Sequence, residues 1–176
     1  IEHWGVVPDI MVMAKGIAGG MPVGATITTD AIASSWKGKT ISTFGGNPIC
    51  MAGMVAALDV MREEDVPAKA EARGSQLRSG LLALAEKHPW IGDIRGMGLM
   101  QAIELVKDRS TKEPDPDRTG EFMEAAKSEG LLLGKAGLRD NVIRFGPSLL
   151  VTEEEVHDAL RRVERACARV DAGTRI

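Results

Sequence analysis

The chain has 176 residues, 44% of them apolar and 27% charged, and a net charge of -3 at pH 7. Those proportions describe a folded globular protein of one ordinary domain or two small ones, not a disordered segment. The mixed charge offers no basic stripe to follow a phosphate backbone. No apolar run approaches the roughly 18 residues of a membrane span, so neither nucleic acid nor a membrane is an expected partner.

The chain opens at Ile1 with no initiator Met and no leader pattern, which reads as entry into the middle of a domain and therefore as a fragment. Residues 9–14 are short and apolar, and residues 23–29 carry β-branched side chains, so both read as strands. Between them Lys15 precedes the glycine turn Gly16-Ile-Ala-Gly19-Gly20. An amine between an apolar strand and closely approaching backbone loses hydration, which favours its neutral, nucleophilic form. The plainer reading, a solvated lysine at a strand end, stays open on these grounds.

Ser42-Thr43-Phe44-Gly45-Gly46-Asn47-Pro48 reads as a loop entering a helix over residues 49–61. Asn47 suits the cap and Pro48 the first helical position. The helix is apolar all round and is expected to be buried on most sides. Free N–H groups at its start would make an anion site, with Thr43 either part of it or an ordinary loop hydroxyl.

From residue 65 the composition changes to a surface helix with Leu77, Leu81, Leu84 and Ala85 at helical spacing, ending at His88-Pro89. Strands are expected at 91–95 and 99–106 around Gly96-Met97-Gly98, then an exposed loop at 107–117 and a helix at 118–129 stopped by Gly130. Further strands are expected at 131–133 and 142–145. Thr152 and Glu155 have capping-box spacing ahead of the apolar stripe Val156, Ala159, Leu160 and Val163. Residues 171–176 carry no pattern and are expected to fray.

Gly19 and Gly24 have P-loop spacing, but Ala25-Thr26 stand where that loop needs its lysine. Gly96-x-Gly98 lacks the third glycine of a dinucleotide fingerprint. Arg144 on its strand is either a surface ion-pair partner or a planar clamp for a carboxylate, and Arg95 has the same two readings. His3, His88 and His157 are scattered and read as exposed or helix-end residues. Cys50 and Cys167 have no metal or redox spacing. They read as small buried hydrophobes in a reducing compartment, the cytoplasm, with a disulfide left open.

Five stretches in this order resemble the class III (subgroup II) aminotransferases. They are Gly5-Val-Val-Pro-Asp-Ile10, Ala14-Lys15-Gly16 with Gly19-Gly20-Met-Pro-Val-Gly24, Ser42 to Pro48, Arg95-Gly-Met-Gly-Leu-Met100 with Glu104-Leu105, and Asn141-Val-Ile-Arg144-Phe-Gly-Pro147. The resemblance covers nearly the whole chain. Residues 131–144 look most like the branch of alanine–glyoxylate and related ω-amino-acid aminotransferases, although 4-aminobutyrate and ornithine enzymes share every motif.

The resemblance implies an α/β protein, a pyridoxal 5'-phosphate (PLP)-dependent transferase of fold type I, present in part. Residues 1–64 would close the large cofactor domain, and residues 65–176 would form the small C-terminal domain. Lys15 would form the internal aldimine with PLP and then carry the proton between substrate and cofactor carbons. Thr43 would bind the cofactor phosphate of the neighbouring subunit of a homodimer. Arg144 would hold the substrate carboxylate, with amino acids and 2-oxo acids as substrates and no metal. In the family the phosphate loop, the ring-stacking aromatic residue and the acid paired with the ring nitrogen lie upstream of the lysine, so this polypeptide alone is expected to be a poor catalyst. Non-catalytic packing or dimerisation, and a same-fold aminomutase, racemase or lyase, are the alternatives.

Overall fold

The computed structural model describes residues 1–173 and divides into two compact units, Ile1–Asp65 and Val66–Ile176. In the first, β1 (Ile10–Met13) pairs antiparallel with β2 (Ala25–Thr28), joined through a 3-10 turn at Lys15–Ala18. A short helix α1 (Asp30–Ala33) and a long helix α2 (Pro48–Glu63) complete the unit.

The 3-10 turn packs on α2 through small residues. A Cβ on Gly19 would sit 3.6 Å from the Ala57 Cβ, and one on Gly53 would come within 2.8 Å of Met21 Cγ. Only this side of α2 is packed. Contrary to the expectation of a helix buried on most sides, no α2 residue is buried, and Ile49 is 70% exposed. Composition registers the apolar character of a helix, whereas its burial depends on what covers it. In this unit the cover is a narrow strip over Gly53 and Ala57. Cys50, on the same helix, is accordingly half-buried rather than buried.

The second unit has a core of its own. Helix α3 (Val66–Lys87) leads into β3 (Ile91–Met97) and β4 (Met100–Leu105). Helix α4 (Pro116–Ser128), β5 (Gly134–Ala136), β6 (Val142–Phe145) and α5 (Glu153–Asp171) follow. The strands form an antiparallel sheet in the order β3-β4-β6-β5. Helices α3 and α4 lie on one face of it, and α5 packs against both helices. Leu77, Leu81 and Leu84 from α3 meet Ile94, Ile103 and Ile143 from the sheet, with Phe122, Val163 and Cys167 from the other helices.

Glycine permits close approaches in this unit that a side chain would not, among them that of α3 to the β3–β4 turn. A Cβ on Gly74 of α3 would lie 2.1 Å from the backbone of Gly98, whose φ of +48 belongs to the β3–β4 turn.

The apolar run 131–133, expected to be a strand, instead ends α4. Gly130 takes a positive φ, its N–H donates to the Lys127 carbonyl, and the Leu131 N–H reaches back to the Ala126 carbonyl. This is the Schellman arrangement, in which the residue after the glycine packs on the helix. The strand begins only at Gly134. Helix α4 also starts earlier than expected, because Asp115 accepts from the Arg118 N–H and Pro116 fills the first turn.

The end of α5 departs from the expected fraying. Asp171 accepts from Trp90 Nε1 at 2.7 Å and lies 2.7 Å from His88 Nδ1. His88 does follow a helix end, but it is buried. Residues 174–176 lie outside the described residues. Cys167 is buried, both cysteines are free, and burial pushes the Cys167 thiol up to about 12.

Two stability results follow from this unit. The capping box is present: Thr152 Oγ1 accepts from the Glu155 N–H at 3.2 Å, and Glu155 Oε2 accepts from the Thr152 N–H at 2.8 Å. Thr152→Ala is expected to cost about 1 kcal/mol in a denaturant titration. Carboxylates clamp α5 to its neighbours. Glu129 accepts from Arg165 at 2.6 Å and lies 2.8 Å from Arg169, while Glu164 pairs with Lys87 at 2.8 Å.

The Arg165 hydrogen bond holds Glu129 below the usual carboxylate range, and the Lys87 hydrogen bond does the same for Glu164. Groups depressed by folding stabilise the fold above their ordinary values, about 4, and lose that contribution as pH falls through the depressed ones. The denaturation midpoint is therefore expected to fall steadily below about pH 5 and to stay level from about 6 to 8 as far as these groups decide it.

Candidate active site

Lys15 follows β1 directly. Ala14 is extended, and Lys15 itself has φ +59, a left-handed conformation that L residues with a side chain adopt at a cost of about 1 kcal/mol or more. Gly19 and Gly20, also at positive φ, turn the chain back, and the buried Ala18 pins the turn. The amine makes no hydrogen bond or ion pair among the described residues, and Lys15 is exposed. The desolvation expected from its apolar neighbours is therefore not found within this unit. Ile10 and Val12 in β1 are themselves exposed and withdraw no water from it.

Thr43 sits in the loop before α2. The Gly45 N–H donates to Ser42 Oγ at 3.0 Å and the Asn47 N–H to the Phe44 carbonyl at 3.2 Å, folding the loop on itself. The expected free donors at the helix start are not free. Asn47 Oδ1 accepts from the N–H groups of Ile49 and Cys50 at 3.0 and 3.3 Å, and Pro48 has none. What the loop leaves open among the described residues is the exposed Thr43 hydroxyl with the N–H groups of Ser42, Thr43, Phe44 and Gly46.

Arg144 belongs to the second unit. Its strand neighbours Ile143 and Phe145 face the core, so the alternation of β6 turns Arg144 to the opposite, exposed side. The residues paired with it are Ala102 on β4 and Gly134 on β5, neither of which brings a charge. A Cβ on Gly134 would lie 3.8 Å from Arg144 Nη2, which is ordinary contact. Among the described residues the guanidinium has no ion-pair partner. Arg95, with the same two sequence readings, is different: its Nη1 lies 2.7 Å from Asp93 and 2.6 Å from Glu104. The structure thus separates a paired arginine from an open one.

Asn141 carries a role that its motif alone did not reveal. It is buried, donates through Nδ2 to the Leu105 carbonyl at 3.0 Å, and its carbonyl accepts from the Leu105 N–H at 2.7 Å, fixing β6 against β4 three residues before Arg144. A polar residue leading a strand was the available signal.

Solved structures share this architecture. An aminotransferase from Bacillus anthracis superposes with a TM-score of 0.89 at 35% identity, covering 96% of this chain and 40% of that one. A phospholyase from Arthrobacter, solved with phosphoethanolamine, gives 0.90 at 30% identity over 95% of this chain and 40% of its own. An amine transaminase from an uncultivated Pseudomonas species, in its PLP-bound internal aldimine form, gives 0.88 at 35% identity, covering 96% and 40%. The fold is that of the PLP-dependent transferases of type I, present in part.

The chain belongs to the class III aminotransferases: the Aminotransferase class-III family profile matches residues 1–167. It is 43% identical to the mitochondrial alanine–glyoxylate aminotransferase 2 homolog 2 of Arabidopsis thaliana, over 88% of this chain and 32% of that protein. It is 40% identical to the acetylornithine aminotransferase of a Nostoc species, over 97% and 38%. The chain thus spans about a third to two fifths of the length of the relatives it matches. Among the described residues no helix is long and apolar enough to cross a membrane.

Proposed function

We propose that this chain is part of a PLP-dependent aminotransferase that moves an amino group from an α- or ω-amino acid to a 2-oxo acid. The observation that carries the reading is Lys15: an exposed amine without a partner among the described residues, held at a strand end in a left-handed conformation that the fold must stabilise elsewhere. The first unit would be the closing segment of the large cofactor domain and the second the small C-terminal domain, a division supported by the break after Asp65.

The residues present fit the cofactor by their chemistry. Lys15 supplies an amine unpaired among the described residues for its aldehyde carbon, and the Thr43 hydroxyl with the open N–H groups of its loop supplies donors for its phosphate. When bound, PLP supplies the electron sink that stabilises a substrate carbanion. The chain's part is to hold and move groups around it. Lys15 Nζ would hold the cofactor's aldehyde carbon and, when free, would carry a proton between carbons. Thr43 holds phosphate, in the neighbouring subunit of a homodimer. Arg144 takes the substrate carboxylate through two parallel hydrogen bonds. Free cysteines suit a reducing compartment such as the cytoplasm. Spanning a minor part of its relatives' length, the chain is proposed to work within a larger enzyme rather than alone.

The test is transfer of label from a 15N-amino acid to a 2-oxo acid by a polypeptide of the relatives' full length. Labelled product supports the reading. The likeness to a phospholyase favours one alternative, a lyase, in which the amino group leaves without reaching the 2-oxo acid. In that polypeptide, Thr43→Val is expected to weaken PLP binding about tenfold, the worth of one hydrogen bond to a charged group. An absorbance titration against the unmodified enzyme measures it.

A further inference from the structure

Glu104 lies on the uncovered face of the second unit's sheet, on the central strand β4. In register, Ala102 is flanked by Arg95 of β3 and Arg144 of β6, while Glu104 is flanked by Asp93 and Val142. Opposed residues of antiparallel strands share a face, and long side chains reach their diagonal neighbours. Glu104 is therefore a diagonal neighbour of two guanidinium groups, Arg95 on one side and Arg144 on the other.

It engages one of them. Oε2 of Glu104 lies 2.6 Å from Arg95 Nη1, and Oε1 accepts from Asn141 Nδ2 at 3.4 Å. Asp93, 2.7 Å from the same Arg95 nitrogen, steadies the guanidinium from its own strand. Both oxygens of Glu104 are thus committed, and Arg144 is left with no ion-pair partner among the described residues. Without those commitments nothing in the register would stop the carboxylate from turning to Arg144, and an arginine closed by an internal acid cannot take an external one.

We propose that Arg95, assisted by Asn141, is a positioning residue that holds Glu104 away from Arg144 and so keeps that guanidinium open to a carboxylate. The inference rests on the reading of Arg144 as a carboxylate clamp for its purpose, but the competition itself is a property of this sheet. Arg95 acts through Glu104 and does not touch substrate.

The experiment uses the 176-residue chain and measures the rate at which phenylglyoxal modifies Arg144, read by peptide mass spectrometry. Arg95→Met is expected to slow modification of Arg144 about three- to fivefold, the occupancy shift an exposed ion pair supplies. Arg95→Met combined with Glu104→Gln is expected to return it to the unmodified chain's rate. A lost structural role for Arg95 would not be repaired by removing a second charge. An unchanged rate in the single variant, or a double variant that stays slow, overturns the proposal. A separate arm adds 2-oxoglutarate to an otherwise unsubstituted, PLP-loaded polypeptide of the relatives' full length. If it fails to protect Arg144 while the variants behave as expected, the clamp reading falls and the positioning role stands.

Discussion

Lys15→Ala is expected to lower amino transfer by about a thousandfold or more in a polypeptide of the relatives' full length, and to leave the stability of the 176-residue chain without cofactor nearly unchanged. The size follows from two lost contributions: covalent attachment and a positioned proton carrier, of which the second alone is worth about 10²–10⁴-fold. The unchanged stability follows from the surroundings, because the side chain is exposed and has no partner among the described residues. Alanine keeps the Cβ and with it the strain of the left-handed backbone. Lys15→Gly removes that strain and is expected to raise stability by about 1 kcal/mol while being equally inactive. Activity and denaturation midpoint measured together check both halves. Loss of both in the alanine variant would mean that the lysine holds structure.

Arg144→Met is expected to lower kcat/KM for carboxylate substrates about 10- to 100-fold, from the loss of roughly 1.5–3 kcal/mol in hydrogen bonds between charged groups. Arg144→Lys should recover part of it, since the charge remains and the planar fork does not. For a primary amine donor without a carboxylate, kcat/KM should be equal in all three forms, because that half of the reaction presents no carboxylate to the arginine. Stability should be indifferent, because Ala102 and Gly134 beside Arg144 offer no group for it to bond. Equal losses for both donors would place the effect elsewhere than at a carboxylate.

The chemistry of individual residues was more legible in the sequence than their environment. The Thr152–Glu155 box, Asn47-Pro48 at the start of α2 and the leucine stripe of α3 are written by residues a turn apart, and each formed as read. Burial was harder, since it depends on chain distant in sequence. Helix α2 reads as buried by composition and has one packed strip; Lys15 reads as desolvated beside β1 and is exposed; Asp171 reads as frayed and anchors His88 and Trp90.

Competition for one group was also invisible. Asn47 could cap the helix or leave its N–H groups to an anion, and only the hydrogen bonds to Ile49 and Cys50 decide for the cap. Arg95 and Arg144 read alike, and the register sets Glu104 diagonally to both; the ion pairs with Asp93 and Glu104 go to the first.

The most direct test of the central claim is to reduce the PLP-loaded polypeptide with borohydride, digest it and locate the fixed cofactor. The account expects a single modified peptide carrying the label on Lys15. Label on any other lysine, or none, would contradict it.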